Sequence, residues 1–470
     1  MSSRKARKAK KDHARRVAAT IVALLAAAAP VASAAQVASA PPDVPPVSVA
    51  APTPVARPTA PPPPLPIAPL SPARQSAPDA IAQDAGEYAR LFDVTLAEAR
   101  ARLLAQEETV PVTDAIAIEL ADRLAGIAIE HRPTFRIVVL LTGDAPVPAR
   151  TVLAGGMTVP IVFRTGAAVT RGALELALAS HQAELAAAVA HPPGMGIDLA
   201  TGELVVIVNP SDADREGMAA LTSRLSGIAG VPVRVRTDRV VASANMAAEG
   251  GARVVGVDPA DGRRYACTTG FVVTDGARTG IATAAHCPDE LSYIGPNGER
   301  QVLPFVGQWG WGYQDVQVNA SDVALSPSFF ADTAKTVSRG VAGRRALPST
   351  RAGDVVCHRG ERTGYSCAPV ELVSFAPAGQ LCGGACLPTW VTVAGPKCQG
   401  GDSGAPVFLG NRAFGLVKGG SYRSDRSCAF YFYMSTDYLP TGWRLLEEVP
   451  TPSPPPAPAP PSTYPAPAAR

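Results

Sequence analysis

The spacing of apolar positions divides this chain into stretches of different texture. Residues 17–29 form one apolar run interrupted only by Thr20 and stopped by Pro30. From about residue 77 to residue 239 apolar positions recur at helical intervals, broken by short continuous runs. Thr95 and Glu98 make a capping-box pair opening a helix that carries Leu96, Ala99, Leu103 and Leu104. A second helical run covers residues 114–129 and ends before Pro133; residues 135–141 then read as a buried strand. Helices are expected over 173–189 and 211–228, a strand over 204–208, and a last strand where Val231, Val233 and Val235 alternate. That order predicts an α+β unit, a small open sheet with helices on one face. After Ala242 the pattern shifts to short strands, many glycines and spaced cysteines, which predicts an all-β sandwich or barrel. Residues 265–273 and 279–284 read as a hairpin around Thr274, Asp275 and Gly276.

Composition sharpens this division. The chain has 470 residues, enough for two or more cored domains, and 47 prolines concentrated at 41–72 and 450–467. Neither patch can build a core, and both read as extended linkers or tails. The net charge of +3 gives no argument for a nucleic-acid partner. All eight cysteines fall between Cys267 and Cys428, which suits disulfides in an oxidising compartment, whereas no spacing supplies a zinc set. The basic leader containing Arg4, Lys5, Arg7, Lys8, Lys10, Lys11, Arg15 and Arg16 precedes the 17–29 run and the small residues Ala32, Ser33 and Ala34. This is the pattern of a secretory signal peptide over residues 1–34. A nucleic-acid-binding arm would not be followed directly by an apolar run. The run is too short for a stable membrane span, and no later segment supplies about 20 apolar residues. The expectation is export, to a periplasmic or extracellular location.

Candidate chemistry lies in the cysteine-bearing part. Residues 398–408, CQGGDSGAPVF, place Ser403 between glycines at a tight turn before an apolar strand. Gly400 and Gly401 allow a turn in which the amides of Gly401 and Ser403 converge, as an oxyanion hole requires. The competing reading is a surface turn between two strands. A serine nucleophile demands a histidine and a carboxylate elsewhere. His286, in ATAAHC, stands at the end of the expected hairpin beside Cys287. Residues 77–240 hold no nucleophile, metal or phosphate motif, and His131, His181 and His191 read as residues on helix ends or surfaces. That region reads as structural, regulatory or chaperone-like.

ATAAHC together with CQGGDSGAPVF resembles the chymotrypsin superfamily of serine proteases, in its short bacterial branch, the streptogrisin and α-lytic protease group. Residues 356–367, VCHRGERTGYSC, are similar to that group's cysteine-closed loop. Residues 414–422, FGLVKGGSY, resemble the strand lining its substrate cleft, and Cys428 with residues 430–433 its closing strand. The resemblance covers roughly residues 253–446 and implies an all-β two-barrel catalytic domain. It implies Ser403 as nucleophile, His286 as base and an aspartate as the orienting acid. Asp315, 29 residues after His286, is preferred for that role over Asp322. The same resemblance implies the pairs Cys267–Cys287, Cys357–Cys367 and Cys398–Cys428, leaving Cys382 with Cys386. It assigns Val417, Lys418, Gly419 and Gly420 to substrate binding.

The chain departs from the group's pattern at several points. Lys418 stands where the group usually has a serine supporting the aspartate, and Ala405 where a glycine is usual. His358 stands where an internal arginine often neutralises the aspartate beside the nucleophile, so Arg359 or Arg362 is expected to serve Asp402. Lys397 stands where trypsin-like enzymes have an aspartate, and no acidic residue lies between Ala394 and Gln399. That argues for apolar or small side chains at the cut bond; Lys418 near the pocket mouth would instead favour acidic ones. Trp309 and Trp311 read as barrel packing. The expected plan is a signal peptide at 1–34, a Pro-rich linker at 35–76 and an α+β pro-like region at 77–240. A trypsin-like protease domain at 245–447 and a Pro-rich tail at 448–470 follow. Such a chain would act on protein or peptide substrates and have its own pro region as a partner, without a cofactor or metal. Two alternatives stand beside it: a catalytically idle protease-like binding or structural protein, and an independent binding module at 77–240.

Overall fold

The structure is a computed structural model describing residues 72–237, 251–258, 262–295, 298–321, 323–379, 381–395, 397–423 and 425–448. The expected signal peptide, most of the 35–76 linker, the Pro-rich tail beyond residue 448 and Asp322 lie outside the described residues. The described residues all belong to one compact unit, residues 68–470.

Its first half opens with the helices Ala77–Phe92, Leu96–Glu108 and Val110–Glu119. The side chains of Ser76 and Thr95 accept the amides of Asp79 and Glu98, capping the first two. The helical run expected over 114–129 divides. The helix stops at Glu119, and Leu124–Glu130 is a strand paired antiparallel with Arg136–Thr142. Ile127 and Ile129 face Val139 and Ile137 across that ladder, where β-branched side chains pack well, and the pairing overrides the helical spacing. The helix expected over 211–228 is broken at Gly217 (φ 83°) into Pro210–Glu216 and Met218–Ala229.

Instead of one small sheet the first half contributes to two. Leu124–Glu130, Arg136–Thr142, Met157–Ala167 and Arg150–Ala154 form a four-stranded sheet of their own. Gly194–Asp198, Glu203–Val208 and Val233–Thr237 extend a sheet of the second half, because Gly194–Asp198 pairs antiparallel with Val373–Ala376. An edge strand carries unpaired amides and carbonyls that invite such an extension. Gly194 and Gly196 leave room for Phe375, whose ring would lie 3.3 and 3.1 Å from a Cβ at those positions. Even Ala73–Arg74, within the expected linker, is a short strand beside Val337–Gly340.

Among the described residues from 251 to 448 the regular elements are strands, apart from two short 3-10 turns at Leu347–Ser349 and Thr436–Tyr438. The expected hairpin exists where Val272–Thr274 faces Thr279–Thr283, but Arg264–Thr268 peels away to pair with Arg253–Val257 in a neighbouring sheet. Val316–Ala320 lies on the other side of Thr279–Thr283. The largest sheet runs Gly364–Pro369, Val355–Gly360, Pro406–Leu409, Arg412–Tyr422, Cys428–Ser435, Trp390–Ala394 and Val373–Ala376, and then into the first half. Disulfides join Cys267–Cys287, Cys357–Cys367, Cys382–Cys386 and Cys398–Cys428, the same pairs the resemblance implies.

The two halves share one core. Tyr88, Leu103, Leu178 and Ile207 belong to the same buried cluster as Phe271, Trp390, Phe408 and Phe430. Fully buried Asp84 pairs with fully buried Arg339 through two bonds of 3.0 and 2.9 Å, and also accepts from Tyr365 Oη (2.6 Å) and the Gly410 amide (2.7 Å). Gln106 Oε1 accepts the Val355 amide at 2.7 Å while its Nε2 donates to the Val355 carbonyl at 3.2 Å. Asp84 also lies near Cys357 and Cys367, but both sulfurs are in a disulfide and the carboxylate is already engaged, so no donor set for a cation remains.

Candidate active site

Antiparallel pairing brings the first two candidate residues together. Thr283 is opposite Gln317, so the chain leaving Thr279–Thr283 emerges beside the chain entering Val316–Ala320. His286 is three residues beyond Thr283 and Asp315 two before Gln317, at the same end of the sheet. The Cys267–Cys287 disulfide anchors the His286 turn. His286 Nδ1–H donates to Asp315 Oδ2 at 2.9 Å, and the His286 amide donates to Oδ1 at 3.2 Å. A carboxylate can only accept, so in the neutral ring Nε2 carries the lone pair; it is buried and has no hydrogen-bond partner.

Asp315 is 2% exposed and is also met by a cation, Lys418 Nζ, 3.2 Å from Oδ2. Burial alone would push its carboxyl up, but the charges of His286 and Lys418 outweigh burial and hold it well below the usual carboxylate range. Its amide donates to Met434 Sδ at 3.3 Å. Lys418 is 4% exposed, with Nζ 5.0 Å from the centre of the Trp390 ring. Its side chain therefore points inward, and the expectation of a lysine at the pocket mouth does not hold. Asp322, the other candidate acid, lies outside the described residues.

Ser403 sits in the loop entering Pro406–Leu409. Thr268 clamps that loop: its amide donates to the Ser403 carbonyl at 2.7 Å and its hydroxyl to the Gly401 carbonyl at 2.8 Å. Gly401 has φ 123°, a conformation that a side chain would strain. Gly404, with φ 86°, lies against the turn leading to His286; a Cβ there would fall 2.9 Å from the Ala284 amide nitrogen. Ser403 Oγ donates to the Lys418 carbonyl at 3.4 Å. Thr268 was missed in the sequence, where its only signal is its place next to Cys267.

Asp402, 1% exposed, is satisfied without a guanidinium. It accepts from the amides of Gln399, Arg362 and Thr363 and from Thr363 Oγ1, at 2.8–3.1 Å. The expectation that the Arg359 or Arg362 side chain would pair with it is corrected. Arg359 donates to the carbonyls of Gly251, Asp332 and Thr333, and Arg362 Nε to Gln399 at 3.2 Å. His358 Nε2 donates to Thr363 Oγ1 at 3.3 Å, and burial shifts this ring below its ordinary value, toward the neutral form.

Val417 is buried and locked to the nucleophile loop: its amide donates to Ala405 O (2.9 Å) and its carbonyl accepts from the Gly404 amide (2.6 Å). Gly419 and Gly420 face Phe432 and Tyr431 across the ladder. A Cβ on Gly420 would fall 2.7 Å from Cys398 Sγ, so the disulfide packs where only glycine fits.

Of the other histidines, His181 and His191 pair with Glu184 and Asp212. His131 is not a surface residue. It is buried, donates from Nε2 to the Gly353 carbonyl (2.8 Å), accepts at Nδ1 from Tyr88 (2.7 Å) and stacks on Phe92. Trp311 is 69% exposed, against the expectation of barrel packing, while Trp309 is half-buried.

No family model matches the chain. Streptogrisin-C of Streptomyces griseus is 27% identical over 169 residues, 35% of this chain. The match spans about a third (35%) of streptogrisin-C. Among solved structures, Thermobifida fusca protease A is 20% identical with a TM-score of 0.33, over 44% of this chain and all of that one. A Nocardiopsis protease is 22% identical with a TM-score of 0.30, over 36% of this chain and 86% of that one. The chain resembles the chymotrypsin-like bacterial serine proteases, at low identity and over part of its length.

Proposed function

We propose that the chain is an exported serine endopeptidase, made as a precursor, in which Ser403, His286 and Asp315 form the catalytic triad. The observation that carries this reading is the 2.9 Å contact of His286 Nδ1 with Asp315. It fixes the tautomer in which Nε2 can take a proton. Ser403 Oγ attacks the peptide carbonyl, His286 Nε2 takes its proton and later gives it to the leaving amine, and Asp315 holds the ring. The amides of Gly401 and Ser403 stabilise the oxyanion. By the family resemblance, the specificity pocket is assigned to Ala394, Gly395, Lys397, Cys398, Gln399, Val417, Gly419, Gly420 and the start of Cys428–Ser435. None of these residues is acidic, so no carboxylate among them meets a cationic side chain, and the enzyme cuts after apolar or small residues. The four disulfides and the similarity to streptogrisin-C support an extracellular or periplasmic location. Among the described residues no helix is long and apolar enough to cross a membrane. Residues 77–240 act as the pro region.

A second reading, a catalytically idle protease-like protein, draws on one observation, the Lys418 ammonium against Asp315. Labelling with a fluorophosphonate probe separates the two. Wild type should label, while Ser403→Ala and His286→Ala should not; a wild type that stays unlabelled at every pH supports the idle reading. In a peptidase assay Asp315→Asn should lower turnover by roughly 10⁴. Dominant cleavage after Arg or Lys in a peptide library would overturn the pocket assignment.

A further inference from the structure

Lys418 is a buried cation at the centre of the site, and the mechanism above does not use its ammonium. The ladder between Arg412–Tyr422 and Cys428–Ser435 shifts register between Val417 and Gly419. Lys418 is the extra residue at that bulge, and bulges re-aim side chains. Its Nζ consequently lies 3.2 Å from Asp315 Oδ2, the oxygen that also accepts from His286 Nδ1, and over the Trp390 face. A buried ammonium is costly without an anionic partner, so Lys418 and Asp315 hold each other in place. We propose that Lys418 is a positioning residue that fixes the Asp315 carboxylate against His286 and cancels part of its charge, so that the site works at a more acidic pH than one with a lone carboxylate.

This rests on the triad reading above. The physical cause is the field at the imidazole. A lone carboxylate favours the imidazolium in the resting enzyme, and a protonated His286 cannot act as base. With Lys418 beside the same oxygen that favour is reduced, and His286 stays available as base to lower pH. The other titratable groups packed around the pair do not undo this. Tyr433 lies across the ladder from Val417, and burial pushes its hydroxyl well above its ordinary value, so it stays neutral. Asp402 is turned to Thr363 and the amides around it. Trp390 under the ammonium and Met434 beside the Asp315 amide carry no charge.

The test is the rate of fluorophosphonate labelling of Ser403 in the full-length chain between pH 4 and pH 9. Wild type sets the reference midpoint of that rate profile. In Lys418→Met and Lys418→Ser it should move up by about one pH unit, a tenfold change in the protonation equilibrium. Lys418→Arg should retain the wild-type midpoint, because it keeps the charge. A Lys418→Arg midpoint that rises as far as those of the neutral variants overturns the proposal. So does an unmoved midpoint in whichever neutral variant retains wild-type near-UV circular dichroism. A wild type that never labels overturns the triad reading instead, so the two failures are distinguishable.

Discussion

Gly401 and His131 show how single residues set function and stability here. Gly401 holds φ 123°, which a side chain resists, and the direction of its amide depends on that angle. Gly401→Ala should therefore lower turnover by roughly 10²–10³, with substrate affinity little changed, as measured by kcat and KM. His131 acts on stability. Burial is the dominant effect on its ring and pushes it from 6.5 down to about 4, against the opposing bond to Gly353. The folded value lies below the unfolded one, so the unfolded chain takes up the proton first as pH falls. The stability tied to His131 is fully present above about pH 6.5 and lost as pH falls through about 4, on the order of 3 kcal/mol. Urea denaturation at pH 7 and pH 4.5 should show that loss in wild type and a flatter dependence in His131→Phe. Equal slopes in the two proteins would show that other groups carry it.

Among the elements, the strand Gly194–Asp198 has the most consequence, because it carries the first half's sheet onto the second half's. Its pairing with Val373–Ala376 depends on two glycines that clear the Phe375 ring. A Cβ on Gly196 would stand 3.1 Å from that ring and 3.2 Å from Leu372, so Gly196→Val should splay the two strands. Amide exchange should then accelerate across residues 194–198 and 373–376, while the Leu124–Glu130 sheet keeps its protection. Nothing in the sequence distinguishes this strand from an ordinary turn-flanked segment. Its hydrophobic partner, Phe375, lies almost 180 residues away.

For the whole molecule, the decisive feature is the shared core with buried charge across it. Asp84 and Arg339 are both fully buried, and removing one partner leaves the other charge uncompensated. Asp84→Ala should destabilise the full chain by roughly 3–5 kcal/mol in chemical denaturation. Expressed without residues 77–240, the second half would expose Arg339, the Val373–Ala376 edge and the buried Arg351, which donates to Thr109 and the Gln106 carbonyl of the first half. It should fail to fold or aggregate. A second half that folds equally well alone, judged by near-UV circular dichroism and probe labelling, would remove the folding role from the proposed pro region.

What the sequence determined by itself is local chemistry. The GDSG turn, the histidine beside a cysteine, the Thr95 cap and the switch from helical to alternating spacing are readable because each depends on residues close in the chain. Where a local pattern competes with a distant partner it misleads. Residues 124–129 have helical spacing but find Arg136–Thr142, and Lys418 looks like a pocket residue until a bulge turns it onto Asp315. Asp402 followed the same rule, since amides brought by the 359–363 turn satisfied it before any guanidinium could. Only the tertiary structure decided those partners and carried three strands of the first half onto a sheet of the second, because burial and strand pairing act between residues that sequence spacing does not relate.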